Sequence, residues 1–431
     1  MIPSNTNIKS VIFKTSRLGV LRTILAFFIY LILTPYILAK IGTELYGLWS
    51  INTALTTFLL ISDFGFKNSL VHFTAKNISN VTYLSSLFNS IFFIFLFFAF
   101  LASILSIFFS DLIAFSIFSI PFKYKNEANY LIITSTASFS IRLLSSAYQA
   151  IVEGNQRVYI TQKVFIIWLL FNGISTYLFL TIFPSIYTLC TINLLGNILI
   201  FTLFYIDIYR NHPYAYFSFK YIDFTLVKNI LPYTVGIQLA SIFILLREPI
   251  IKIIISRYFG LKELAAFEIS FRIAIQLMSF AIIPLLTALP LSSYLFDNFL
   301  AIQKAINIYY KWLFVTLLTP LIIFLFFSEE IFSLWLGGNY VLTARIFPII
   351  FSSFCIYYFA EPMYKTIQGL GKSIVSAIFQ FLLIFILFIS FITLHQTFDF
   401  LSIPYALLIA FTIYSFSIIA YFHFTLFKAA N

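Results

Sequence analysis

The feature that most constrains this chain is how rarely its apolar runs are interrupted. About twelve segments reach the ~20 apolar residues needed to cross the hydrocarbon of a bilayer, and the connections between them are short. They fall near 18–38, 45–66, 84–109, 130–151, 162–183, 185–206, 229–256, 264–290, 308–328, 342–367, 373–394 and 402–427. With 61% hydrophobic residues, 10% charged residues and a mean hydropathy of +1.00, a soluble domain could not cover so much apolar surface. The expectation is an all-α polytopic membrane protein of about 12 transmembrane helices.

The widest polar break, "DIYRNHPYAYFSFKYIDFTLVKN" (207–229), divides the spans into two sets of six. The expected domains are a six-helix bundle over 1–210, a cytoplasmic linker over 211–228 and a second six-helix bundle over 229–431. "MIPSNTNIKSVIFKTSRLGV" lacks the charged start, short apolar core and small-residue cleavage site of a removable signal, so the first span itself directs insertion. With the N-terminus inside, the even-numbered connections and both tails carry 15 Lys and Arg, against 6 on the opposite side. The positive-inside rule therefore puts both termini in the cytoplasm. The same rule accounts for the net charge of +11, which is scattered between spans and forms no stripe for nucleic acid.

The halves echo each other. "FFSDLIAFSIF" (108–118) recurs as "FFSEEIFSLWL" (326–336), and "IVEGNQRVYITQKV" (151–164) as "TIQGLGKSIVSAIF" (366–379). Ser110 and Ser328, Gly154 and Gly369, and Pro35 and Pro249 are offset by 218, 215 and 214 residues. Six spans per half start both halves on the same side, a parallel internal repeat. Such paired bundles are a transporter architecture, with the substrate site expected at their interface.

A charge at bilayer depth costs about 2.5–3.5 kcal/mol on insertion scales, so each one marks a functional candidate. Helical spacing separates paired charges from free ones. Glu248 and Lys252 lie four apart with the acid N-terminal, the better orientation for a same-face pair. Glu268 and Arg272 repeat that spacing one span later, and Gln276 continues the stripe. Arg247 is rotated about 100° from Glu248 and has no acid three or four residues away; Pro249 behind it kinks the span. In "SFSIRLLSSAYQ", Ser138, Arg142, Ser145 and Gln149 share one face, which reads as a wet wall around a mid-span arginine. Arg22 is also unpaired, about a turn above the cytoplasmic end, where it either lines a site or snorkels.

Unpaired positive charge implies an anionic ligand, and a planar guanidinium suits phosphate because it can bind two oxygens at once. Long apolar spans beside it suit a lipid tail, so the expected ligand is a lipid-linked phosphate or diphosphate. The candidate binding residues are Arg22, Arg142, Arg247, Arg272, Gln149 and Gln276. Glu248, Glu268, Glu361 and Asp63 are the candidates for coupling an ion, H+ or Na+. The open alternative is that the arginines pair across helices with Glu361 or Asp63.

"TPYILAKIGTELYGLWSI" (34–51), "LLISDFGFKNSLVHFTAK" (59–76), "IVEGNQRVY" (151–159) and "ISRYFGLKELAAFEISFRI" (255–273) resemble the polysaccharide flippases of the multidrug/oligosaccharidyl-lipid/polysaccharide (MOP) superfamily, the O-antigen flippase type. The resemblance spans essentially the whole chain and implies a MATE-like V-shaped pair of bundles in the bacterial inner membrane. It implies transfer of an undecaprenyl-diphosphate-linked oligosaccharide from the inner to the outer leaflet, with a polysaccharide polymerase and a chain-length regulator as partners. Glu44, Tyr46, Gly47 and Trp49 match the first-loop motif; Asp63 and Gly65 mark the cytoplasmic end of span two.

No catalytic constellation accompanies these features. "SDFG" lacks the glycine-rich loop, Val-Ala-x-Lys strand and His-Arg-Asp loop of a kinase, and no P-loop is present. His72, His212, His395 and His423 show no metal spacing, and Cys190 and Cys355 read as inert buried thiols. A drug/cation antiporter on the same fold would want an acidic cavity. A membrane polymerase or ligase would want a large outer loop, whereas the longest outside connection, near 110–129, is short.

Overall fold

The computed structural model describes the chain outside residues 1–4, 61–64, 78–79, 156, 283–284, 286–287, 289–298, 338–340, 371 and 428–431. Side chains are also left aside at 5–16, 58–60, 76, 213, 232–241, 299, 301, 369, 373 and 425–427. Among the described residues twelve helices follow in order: α1 (Asn5–Leu60), α2 (Phe66–Lys76), α3 (Val81–Asp111), α4 (Lys125–Gly154), α5 (Val158–Ile182), α6 (Ile186–Asn211), α7 (Phe224–Tyr258), α8 (Leu261–Ile282), α9 (Phe299–Leu336), α10 (Val341–Gly369), α11 (Ser373–Phe398) and α12 (Ser402–Tyr421). Short 3₁₀ and π turns connect some of them, and no strand occurs among the described residues.

Two expected spans merge in α1. Its ladder breaks at Gly42, whose φ of 81° and ψ of 169° suit a residue without Cβ, so the 56-residue element is two arms. The two arms of α1 with α3–α6, and then α7–α12, account for the twelve expected spans. Eight stretches among the described residues are long and apolar enough to cross a membrane. The chain divides into two compact units, Met1–Gln238 and Leu239–Asn431, the division falling inside α7.

In the first unit α4 is central, touching α1, α2, α3, α5 and α6. It is the most polar of the long helices, and this position keeps its hydroxyls off lipid. Ser135 donates to Asn52 Oδ1 at 2.7 Å and the Oγ atoms of Ser103 and Ser140 lie 3.1 Å apart, stitching α4 to α1 and α3. Around it Phe88, Phe92 and Tyr148 stack with ring centroids 5.4 Å apart. A Cβ on Gly154 would lie 2.6 Å from Thr74 Cβ, so the close approach of α2 to α4 requires glycine there. Along α5, Gln162, Phe165 and Gly173 meet Gly19, Arg22 and Ile29 in turn, so α1 and α5 run parallel.

The 211–228 segment is tied down on α3. The backbone N–H of Ser218 donates to Asn89 Oδ1, that of Asp223 to Ser90 Oγ at 2.8 Å, and the rings of Phe217 and Phe92 lie 5.1 Å apart. At its start Arg157 makes a bidentate pair with Asp207, at 2.9 and 3.0 Å, and also reaches His212 Nε2 at 3.1 Å.

In the second unit α10 takes the central place, touching α8, α9, α11 and α12. The internal repeat is visible in exposure. At the end of α3, Phe108, Phe109 and Ser110 are 77%, 45% and 8% exposed; at the matching end of α9, Phe326, Phe327 and Ser328 are 75%, 55% and 8% exposed. Equivalent helices thus turn the same residue types outward and inward.

Candidate functional site

The charged candidates form one group in the first unit and several in the second. In the first unit, Arg22 on α1 and Arg142 on α4 converge on one ring of α5. The guanidinium carbon of Arg142 lies 4.6 Å from the centroid of Phe165 and that of Arg22 lies 5.6 Å from it. The two charges are therefore no more than about 10 Å apart. No carboxylate among the described residues lies within ion-pair distance of either arginine. Arg142 Nη1 is buried without a hydrogen-bond partner, as are Ser138 Oγ on the same helix and Gln162 Oε1 and Trp168 Nε1 on α5. Glu153, about three turns beyond Arg142 on α4, instead accepts a 2.7 Å hydrogen bond from Gln149.

The wet wall expected along α4 is corrected here. Ser138, Ser145 and Gln149 are 2%, 0% and 4% exposed, packed within the unit rather than facing water. Ser145 donates to the Ile141 carbonyl one turn back, at 2.7 Å, so it needs no water. Arg142 is the member of that stripe left with ionic capacity.

In the second unit α7 and α8 share four charges. Lys252 Nζ lies 2.8 Å from Glu248 Oε1 and 2.7 Å from Glu268 Oε2. Arg272 Nη2 lies 3.0 Å from Glu248 Oε1, and Arg272 Nε lies 2.8 Å from Glu268 Oε1. The i,i+4 pairs expected from spacing are present, but each acid also holds the cation of the other helix. Burial is graded across the group: the side chains of Lys252 and Glu268 are 0% and 6% exposed, those of Glu248 and Arg272 18% and 27%. Gln276 is half-buried one turn further along α8.

Arg247 is placed apart from these four. Its guanidinium carbon lies 5.0 Å from the ring centroid of Tyr357, 5.1 Å from Phe411 and 6.0 Å from Phe354, and its Nε and Nη1 are buried without hydrogen-bond partners. The same core holds Gln380, whose Nε2 donates to Tyr414 at 2.8 Å and Tyr357 at 3.2 Å. Glu361 is buried on α10, with Lys365 Nζ 3.5 Å from one oxygen and no partner on the other. Arg247 and Glu361 form no ion pair within 4 Å. Asp63 lies outside the described residues, while Gly65 caps α2 with φ 78°.

Sequence spacing did not reveal Phe165, Phe354, Tyr357, Phe411 or Gln380. A signal existed for α10: Phe354, Tyr357, Glu361 and Lys365 recur at three- and four-residue intervals, one face of a helix. The first-loop Glu44 meets the α3–α4 connection, accepting from Lys123 Nζ at 2.6 Å and from the Tyr124 hydroxyl. That contact raises the affinity of the Lys123 amine for its proton. No group of three or more metal-ligating side chains occurs among the described residues.

These features define an all-helical polytopic membrane protein that divides into two compact units. The fold resembles those of solved MATE transporters and of a lipid II flippase. A multidrug-resistance MATE family transporter of the MOP superfamily, inward-facing, aligns over 93% of this chain and 93% of its own with a TM-score of 0.75 and 13% identity. The lipid II flippase MurJ in an inward closed conformation aligns over 97% and 87% with a TM-score of 0.74 and 18% identity. The Vibrio cholerae MATE transporter VcmN in its bent form gives 0.67 at 11% identity, over 99% and 98%. These neighbours are transporters and a flippase, not enzymes. No family model and no curated protein matches the sequence.

Proposed function

We propose that the protein carries an anionic, lipid-linked head group across the bacterial inner membrane, its cargo an undecaprenyl-diphosphate-linked oligosaccharide moved from the cytoplasmic to the periplasmic leaflet. The observation that carries this reading is the pair Arg22 and Arg142 on Phe165, two cations within one unit and, among the described residues, without a carboxylate in ion-pair reach. Uncompensated guanidinium in a poorly hydrated site favours a ligand that brings its own negative charge and paired oxygens. The likeness to a lipid II flippase supports a lipid-linked cargo. An inside-negative potential assists export of an anion by about 2.3 kcal/mol per charge per 100 mV.

Arg142 and Arg22 take the diphosphate in this reading, while Arg272 and Arg247 are secondary cations already balanced by carboxylates or rings. Among the acids, Glu361 is the best-supported coupling group, because Glu248 and Glu268 are engaged with Lys252 and Arg272. A cationic-drug antiporter is disfavoured by uncompensated arginine where an uncompensated acid would be wanted.

The test is complementation of a deletion strain. Arg142→Ala is expected to abolish surface glycan, with lipid-linked units trapped on the inner leaflet while the protein still inserts. Arg142→Lys restores it only in part, since a point charge lacks the fork. Normal surface glycan from the alanine variant removes Arg142 from the site. Unchanged glycan with raised drug sensitivity in the deletion strain points to the antiporter instead.

A further inference from the structure

The group on α7 and α8 is neutral as four charges, yet it is not symmetric. Lys252 and Glu268 form its sealed inner edge, and Glu248 and Arg272 its partly exposed outer edge. Glu248 holds both cations through one oxygen, Oε1, at 2.8 Å from Lys252 and 3.0 Å from Arg272. Glu268 divides the same duty between two oxygens, Oε2 for Lys252 and Oε1 for Arg272. The Glu248–Arg272 contact can therefore open without orphaning either acid. Glu248 keeps Lys252, and Arg272 keeps Glu268 through Nε while Nη2 is released. An incoming phosphate oxygen would meet a guanidinium edge already oriented by its other bond.

We propose that Glu248 is a resident counter-anion of Arg272, displaced by a phosphate-bearing head group and restored when that group leaves. The inference rests on the proposed function and deepens it. A carrier of anions must return with its cationic site empty, and a tethered carboxylate that replaces the departed phosphate keeps Arg272 neutralised during that return. The site selects for an anion that outcompetes one carboxylate oxygen, and a phosphate or diphosphate does so through its greater charge and larger number of acceptor oxygens.

The experiment uses the full chain in detergent micelles with inorganic pyrophosphate as the probe, titrated calorimetrically. Glu248→Gln removes the competitor and leaves the size of the side chain unchanged. It is expected to tighten binding about tenfold, within the usual range for coupled sites, and Glu248→Asp, whose shorter arm reaches Arg272 less well, by a smaller factor. Adding Arg272→Ala to Glu248→Gln is expected to abolish the gain. Unchanged or weaker binding by Glu248→Gln, with helix content and Tm retained, overturns the proposal, and if that variant does not fold, unchanged binding by Glu248→Asp does the same. Absence of binding in every variant also overturns it. Failure of the flippase reading is separately visible. Normal glycan in Arg142→Ala alongside tighter binding in Glu248→Gln leaves the anion site standing without that cargo, whereas lost glycan with no tightening leaves the cargo and removes the counter-anion.

Discussion

The two units treat buried positive charge in opposite ways. In the first, Arg22 and Arg142 share a phenyl ring and, among the described residues, have no carboxylate within ion-pair distance. In the second, Lys252 and Arg272 are held by two glutamates, and Arg247 is enclosed by three rings. Sequence repetition predicts similar units, and the exposure pattern at the ends of α3 and α9 agrees. The charges do not follow that repetition. An ion network adds to the integrity of the unit that holds it; a pair of unneutralised arginines does not. The difference puts the arginines without a carboxylate partner among the described residues in the first unit and the stronger structural dependence on charge in the second.

The largest expected effect tests that division. Lys252→Met leaves Glu268 buried with one cation fewer, and breaking a buried pair from one side costs about 3–5 kcal/mol. The low end applies, since Arg272 still reaches Glu268 at 2.8 Å. Unfolding of the purified chain in micelles should show a loss of about 3 kcal/mol, with most of it recovered in Lys252→Met/Glu268→Gln. A single variant as stable as wild type would mean that the network does not hold the second unit together.

A smaller effect is expected in the first unit. Phe165→Leu keeps an apolar side chain but removes the π face beneath two guanidiniums. A cation–π contact contributes about 0.5–2 kcal/mol according to how desolvated it is, so the loss should be about 1–2 kcal/mol in unfolding experiments. Surface glycan should fall without vanishing, because the charges remain while their positioning is lost. Full stability together with full glycan would show that the ring is only a neighbour of the two arginines.

These residues also show what a sequence can and cannot reveal. The spans and the i,i+4 pairs were legible because both depend on local periodicity: twenty apolar residues fit a bilayer, and four residues make one turn. That Glu248 also holds Arg272 depends on which faces of α7 and α8 meet, and 24 positions separate the two residues. The convergence of Arg22 and Arg142 on Phe165 has the same origin, since three different helices contribute one residue each. The polar stripe on α4 was visible as a stripe but misread as wet, because a serine in a helix can satisfy itself on the preceding turn. Polar periodicity shows that a face is not lipid-exposed; whether it meets water or another helix is decided by tertiary packing.

The smallest expected effect concerns the anchor that ties the 211–228 segment to the first unit. Arg157 can only donate, so the 3.1 Å contact requires His212 Nε2 to accept and the ring to be neutral. Burial, and then the adjacent Arg157 charge, hold the His212 ring below its ordinary proton affinity, while Asp207 acts weakly the other way. Tyr214, whose ring lies 5.8 Å from the imidazole, is the other titratable group facing it. The unfolded chain therefore binds the proton more readily than the folded one, and stability rises with pH across that interval. The contribution is complete above the ordinary imidazole value of about 6.5 and is lost as pH falls from there through the lower folded value. A neutral side chain that can still accept, as in His212→Gln, should abolish this dependence. The wild type minus variant difference in Tm should shrink between pH 8 and pH 5.5 by about 2 °C or less. A difference that stays constant over that range would mean that His212 takes up its proton equally in the folded and unfolded chain, and that the bidentate Arg157–Asp207 pair holds this end of the unit without it.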